Sequence, residues 1–187
     1  MTNTARAGQQ PAAIKVLDRY DAAAQVGLRV IVCGAAVERV DGTGEATIEL
    51  PKLNELRATA AMMRCLMPER LRGAESKAMR KIMGLTLAEL AKRLDERTAP
   101  ETVLRWEADA QPMGGYADKV LRLLICETLR HDAHGVEYSA AMIANMKPID
   151  PWKANPGHQV APIVLQLIRP KQPSGEIIQT YHGKIAA

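Results

Sequence analysis

The residue types able to do bond-making or metal chemistry are sparse in this chain and poorly spaced for it. His131 and His134, with Cys126 shortly before them, are potential metal ligands. Yet His-x-x-His without a third and fourth ligand at firm spacing closes no coordination shell, and the pair reads as exposed histidines beyond a helix end. Gly42 and Gly44 follow a β-like run as a phosphate loop would, but the third glycine and the Lys-Ser or Lys-Thr pair are missing, so the tract reads as a hairpin turn. There is no Gly-x-Ser-x-Gly, no cysteine with a credible histidine partner, and no carboxylate pair that spacing brings together. The sequence therefore predicts a non-enzyme with no catalytic residue, no metal site and no cofactor.

What the sequence spaces regularly is a set of helix signals between Gly73 and Glu107. Leu87, Leu90, Ala91 and Leu94 recur at i, i+3, i+4 and i+7, which is one apolar helix face, and Glu89, Lys92 and Arg93 point away from it. Thr86 is followed three residues on by Glu89, and Thr98 by Glu101. In each pair the hydroxyl can cap a backbone N–H while the glutamate reaches back to the threonine. Two helix starts twelve residues apart, across a short polar link, are the layout of a helix-turn-helix.

At these positions the chain resembles the Cro/repressor-type (XRE-like) helix-turn-helix DNA-binding domain. The matching residues are Arg80, Gly84-Leu85-Thr86, Ala88-Glu89-Leu90-Ala91, Leu94, Thr102-Val103 and Arg105-Trp106-Glu107. The resemblance implies that the second helix lies in the major groove and that Arg80 pairs with Glu107 to hold the helices together. It also implies that Ala99, Pro100, Glu101 and Arg105 face the base edges, with Thr102 near the backbone; Thr86, Arg97 and Thr98 complete the expected DNA-binding set. Arginine suits the two acceptors of guanine, glutamate accepts from a cytosine amine, and Ala or Pro can touch a thymine methyl. Leu87 stands where the family commonly carries a glutamine that holds a phosphate.

Charge points the same way. The 187-residue chain has a net charge of +4, and between Arg57 and Glu107 eleven Lys or Arg face seven Asp or Glu, so the whole surplus lies in this region. A basic face supplies the salt-dependent, sequence-independent part of DNA affinity. No run of eighteen apolar residues and no apolar stretch behind a basic start occurs, so the expectation is a soluble, cytoplasmic protein without a membrane partner. Cys33, Cys65 and Cys126 are an odd, scattered set that fits reduced thiols. Phenylalanine is absent, so Leu, Ile, Val, Ala and nine Met must build the core, with Met62, Met63, Met79 and Met83 as filler.

The chain reads as an α+β fold, with a helical helix-turn-helix core, a small N-terminal β-module and a C-terminal β-hairpin. Residues 1–13 are expected to be a disordered tail, 14–56 the β-module, 57–130 the DNA-binding domain, 131–157 a Pro-rich linker, and 158–187 the hairpin, a candidate dimerisation element. Within the β-module, 29–33 and 46–50 flank a Gly-rich turn as a small antiparallel sheet or hairpin, with 37–40 as a further strand. A helix is predicted over 53–66 with Leu56, Ala60, Met63 and Met67 inward, and another over 116–129 with Val120, Leu121, Leu124 and Ile125 at helical spacing. The last two strands are predicted at 160–169 and 176–181. Their apolar residues need cover, from a second subunit or from the chain's own β-module.

The order Tyr20, Gly27-Leu28-Arg29-Val30, a strand ending near Pro51, a helix, then Leu71-Arg72-Gly73-Ala74-Glu75 and the helix-turn-helix is similar to the MqsA-type antitoxins and their relatives. Members with a zinc ribbon hold the metal with two Cys-x-x-Cys pairs. This chain has neither pair, so zinc is not expected. The function implied is a sequence-specific transcriptional regulator, a repressor acting as a homodimer on a palindromic operator in double-stranded DNA. The alternative is an antitoxin or antiactivator that works mainly by binding a protein partner.

Overall fold

The computed structural model describes residues 13–169 and 178–185. Among them the chain forms β1 (Ala13–Val16), β2 (Arg19–Asp21), α1 (Ala23–Val26), β3 (Val30–Cys33), β4 (Val37–Val40) and β5 (Ala46–Glu49). Then follow α2 (Leu53–Cys65), α3 (Gly73–Ile82), α4 (Leu87–Leu94), α5 (Pro100–Glu107), α6 (Gly115–Leu129), α7 (Ala140–Asn145), β6 (Ile163–Ile168) and β7 (Thr180–Ile185). The fold is mixed α+β. Apart from Ala13, the expected N-terminal tail lies outside the described residues. No helix among the described residues is long and apolar enough to cross a membrane.

Asp41 builds the β4–β5 turn: its carboxylate accepts the N–H groups of Thr43 (2.8 Å) and Glu45 (3.0 Å), and Gly44 takes the left-handed backbone that the turn needs (φ +87°). The two strands pair antiparallel, and β1 adds to β4 to give a three-stranded sheet in the order β1-β4-β5. The second sheet has the order β2-β3-β6-β7. Here the structure corrects the expected β-module, because β3 does not join β4 and β5 but runs parallel to β6, with Val30 opposite Ile163 and Val32 opposite Leu165. Alternation decides the matter. Val30, Val32, Ile163, Leu165 and Leu167 form one buried apolar face, with β6 packed against α2 and β3 against α1.

The C-terminal hairpin is therefore covered by its own chain: Val160, Ile163, Leu165 and Leu167 are buried and Val164 is half-buried, while Ile168 and Ile178 are exposed. Its second strand is displaced from the predicted 176–181 to Thr180–Ile185, and Glu176 and Ile177 lie outside the described residues. Long-range contacts fix that register. Tyr181 is fully buried, its hydroxyl donating to the Pro51 carbonyl (2.8 Å) and its N–H to the Glu55 carboxylate (3.0 Å). Two residues on, a Cβ at Gly183 would stand 2.9 Å from Met63 Cε and 3.0 Å from Leu165 Cδ2, so any side chain there would require Met63 and Leu165 to shift.

The expected linker at 131–157 is also corrected. It contains α7, whose Ser139 cap accepts the Met142 N–H (3.2 Å) and whose Ile143 is fully buried. Ile149 exchanges backbone bonds with the chain after α2, donating to Pro68 and accepting from Arg70 at 2.9 Å each. The prolines punctuate this segment without detaching it.

α2 is buried on every side from Ala58 to Cys65, not along the single stripe expected, because the second sheet lies on one side and α3 and α6 on the other. Two arginines are inside this core. Arg64 gives Nε and Nη2 to Glu75 (2.6 and 2.9 Å), with Nη1 to the Glu69 carbonyl (3.0 Å) and Nη2 also to that of Arg70 (2.8 Å). Arg122 gives Nε to Asp118 (2.7 Å), Nη1 to the carbonyls of Cys65 and Met67 (2.8 and 2.6 Å), and Nη2 to that of Glu69 (2.6 Å). Asp118 in turn accepts the Leu71 N–H (3.1 Å). The inward face of α6 is accordingly Asp118, Leu121, Arg122, Ile125, Cys126 and Leu129, whereas Val120 and Leu124 are only half-buried. All three cysteines are free thiols, and burial pushes that of Cys65 well up.

Removing one member of a buried ion pair strands its partner, at a cost of about 3–5 kcal/mol. Arg122→Ala is expected to lose that much in a urea unfolding experiment. Arg39→Ala, which breaks the exposed Arg39–Glu49 pair, is expected to lose less than about 1 kcal/mol.

Candidate nucleic-acid interface

The site is best built from α3, because α4 and α5 are hung on it. Glu75, already held by Arg64, accepts the Arg72 N–H (2.8 Å), and the Asp109 carboxylate accepts the Gly73 N–H (2.9 Å). The first turn of α3 is thus capped by its own glutamate and by a residue just past the end of α5. At this crossing a Cβ on Gly73 would meet the Trp106 and Glu107 carbonyl oxygens at 2.5 and 2.6 Å, so the two backbones touch only because residue 73 has no side chain.

α3 ends at a left-handed Gly84 (φ +71°), and the chain turns into α4. Thr86 caps that helix: its Oγ1 accepts the Glu89 N–H (3.2 Å) while Glu89 Oε2 accepts the Thr86 N–H (2.8 Å). The backbone and hydroxyl hydrogen bonds from Thr86 hold the Glu89 carboxyl below its ordinary value, so the box is closed above the usual carboxylate range and opens only as pH falls through the lowered value. Leu90 and Ala91 are buried, and Leu87 and Leu94 pack half-buried beside them.

The second capping box does not form. α5 begins at Pro100 with Ala99 as its N-cap, and no side chain caps it. Proline at position 100 forces residue 99 into an extended backbone (ψ 147°) and suits the first helical position, so Thr98 falls one residue too early. The link 95–99 turns instead on Asp95, whose carboxylate accepts the Arg97 N–H (3.2 Å) and whose carbonyl accepts the Thr98 N–H (3.0 Å).

Arg80 and Glu107 meet in a bidentate pair. Nε and Nη2 of Arg80 lie 2.6 and 2.9 Å from the two carboxylate oxygens, and Nη1 donates to the Leu85 carbonyl (2.8 Å). Glu107 is buried, and its hydrogen bond raises the Arg80 guanidinium pKa above its ordinary value. One arginine thereby joins the end of α5, the turn before α4, and α3 itself. Trp106, adjacent to this pair, is half-buried.

Of the residues singled out from sequence, Thr86, Arg97, Ala99, Glu101 and Arg105 are exposed, and Thr98, Pro100 and Thr102 are half-buried. Arg105 makes no side-chain hydrogen bond among the described residues, and the only side chain of α5 that reaches deep into the core besides Glu107 is Val103. Sequence reasoning missed Leu104, which is 52% exposed in the middle of α5, and the structural pair Gly73 and Asp109. A leucine one position before Arg105 is a readable signal; the pairing of residues 73 and 109 has no local trace. His131 and His134 are exposed beyond α6, Cys126 is buried, and no group of three metal-binding side chains comes together among the described residues. No protein-family model, no curated protein and no solved structure matches this chain.

Glu107→Ala leaves Arg80 partly buried beside α5 without its carboxylate, and a loss of about 3–5 kcal/mol is expected in thermal or urea unfolding. A melt that superimposes on the parent's would count against the bridge as the link between α3 and α5. In the same assay Thr86→Ala should lower the midpoint and Thr98→Ala should not.

Proposed function

We propose that this chain is a sequence-specific DNA-binding regulator, a helix-turn-helix protein that reads the major groove with α5 and represses by occupying its operator. The observation that carries the reading is the Arg80–Glu107 bridge: it fixes α5 on a buried scaffold while Ala99, Glu101, Leu104 and Arg105 remain exposed. A recognition element needs such a division, because base contacts discriminate only when the side chains making them are held in register. Exposed Lys92, Arg93 and Arg97, near the α4–α5 link, supply phosphate contacts. Leu104 supplies an apolar contact for a thymine methyl.

The test is binding to the gene's own upstream DNA at two salt concentrations. Affinity should fall steeply with salt, and Arg105→Ala should cost about 1–3 kcal/mol on the specific site while leaving random duplex almost untouched. Equal weakening on both duplexes would reduce Arg105 to a phosphate contact.

Operator reading of this kind works through two half-sites, and since the C-terminal hairpin is covered in its own chain, β1 is the edge we propose for the dimer. That strand is an edge of the three-stranded sheet, and Ile14 and Val16 on it are 60% and 55% exposed. The same two residues favour the second reading, a module that works mainly by binding a protein partner. Sedimentation separates the two. A dimer that Ile14→Lys/Val16→Lys converts to a monomer supports the regulator; a chain that is monomeric alone and shows no DNA preference supports the partner-binding module.

A further inference from the structure

A cavity of about 490 Å³ lies between the α1 turn and the outer face of α3, and three cations line it: Arg57 of α2 with Lys77 and Lys81 of α3. No carboxylate contributes to its walls, which are otherwise small and mostly apolar, with Val26, Ala74 and Ala78 among them. Seven ion pairs form among the described residues, and none uses these three cations. The Arg57 Nε and Nη2 donate to the Gln25 carbonyl (3.0 and 2.8 Å), which fixes the guanidinium without neutralising it. Lys77 and Lys81 stand at i and i+4 on one helix face, where like charges repel. The cleft between Trp106 and Trp152 differs in kind: its arginines are accompanied by Asp109, Asp118 and Asp150.

Three unneutralised cations around a concave, partly apolar space are an arrangement that an anion of matching size completes. Gly27 packs tightly on Ala78 in the wall, since a Cβ there would meet the Ala78 Cβ at 2.9 Å. We propose that this cavity is a binding site for a small organic anion, a carboxylate or a phosphate monoester of a few carbon atoms, held by Arg57, Lys77 and Lys81 against the alanine-lined wall. The dimensions suit a compact metabolite, since such clefts commonly measure roughly 300–1,000 Å³. The cavity shares no residue with α4 or α5. Its α3 wall also carries Arg80. An effect of the ligand on operator affinity would rest on the DNA-binding reading; the binding site does not.

Isothermal titration of the full chain at low ionic strength with citrate and with glucose 6-phosphate tests the site, with glucose as the neutral control. Saturable one-to-one binding of at least one of the two anions and none of glucose is expected, and which anion binds separates carboxylate from phosphate recognition. Lys77→Gln/Lys81→Gln should weaken binding by about tenfold or more, through loss of charge-assisted hydrogen bonds. Lys77→Arg/Lys81→Arg should retain it, and Lys147→Gln/Lys153→Gln, which removes two exposed charges elsewhere, should leave it unchanged. Circular dichroism of each variant verifies that the fold is kept. No saturable binding of either anion up to millimolar concentration overturns the proposal, as does equal weakening in the 77/81 and 147/153 variants. Displacement of the bound anion by random duplex DNA would reassign the cations to the nucleic-acid backbone and also overturn it.

Discussion

Arg64 and Arg122 are almost completely removed from solvent, and a bare guanidinium in such a place would be prohibitively costly. Each is satisfied by one carboxylate and by carbonyls of the bend that follows α2, namely those of Cys65, Met67, Glu69 and Arg70. The dependence is mutual. An irregular segment inside a core has backbone groups that no helix or sheet can satisfy, and the two arginines provide the missing donors. α2, α3 and α6 meet at this bend, so their relative placement is fixed by a hydrogen-bond network as well as by packing, and a half-formed network would be worse than an apolar core.

From that bend the order propagates outward. Glu75, which binds Arg64, also caps α3; the start of α3 is locked to the end of α5 through Gly73 and Asp109; and Arg80, farther along α3, holds Glu107. The candidate interface therefore stands on a chain of charge-assisted bonds that runs from the deepest part of the core to an exposed helix. Arg80, Arg64 and Arg122 do comparable work at successive depths. Each joins two elements by a geometry that lysine, a point charge on a flexible stem, could not reproduce.

The sheets divide the remaining roles. The four-stranded sheet brings the two ends of the described chain together, since β3 and β6 pair in parallel although some 130 residues separate them, and α2 packs against β6 and β7. Among the described residues the three-stranded sheet makes no comparable packing contact with the helices. One sheet closes the fold. The other leaves Ile14 and Val16 exposed on its edge strand.

How much of this was legible in the sequence follows from the range of each interaction. The Thr86–Glu89 cap, the Gly84 turn, the apolar face of α4 and the extent of α2 are settled within four or five residues, and the sequence alone determines them because the atoms that satisfy one another are neighbours along the chain. The same local logic misplaced Thr98, because the constraint that Pro100 sets on its predecessor outweighed the threonine's capping preference. The α+β class was legible from period and turn residues. The tertiary structure alone decided that β3 leaves the N-terminal strands for the C-terminal hairpin, that Tyr181 and Gly183 set the register of β7, that 131–157 folds onto the core, and that Arg57, Lys77 and Lys81 surround one cavity. In each of these a donor, an apolar face or a charge must find its partner across tens of residues. Sequence specifies the need, but only the closed chain specifies which partner meets it.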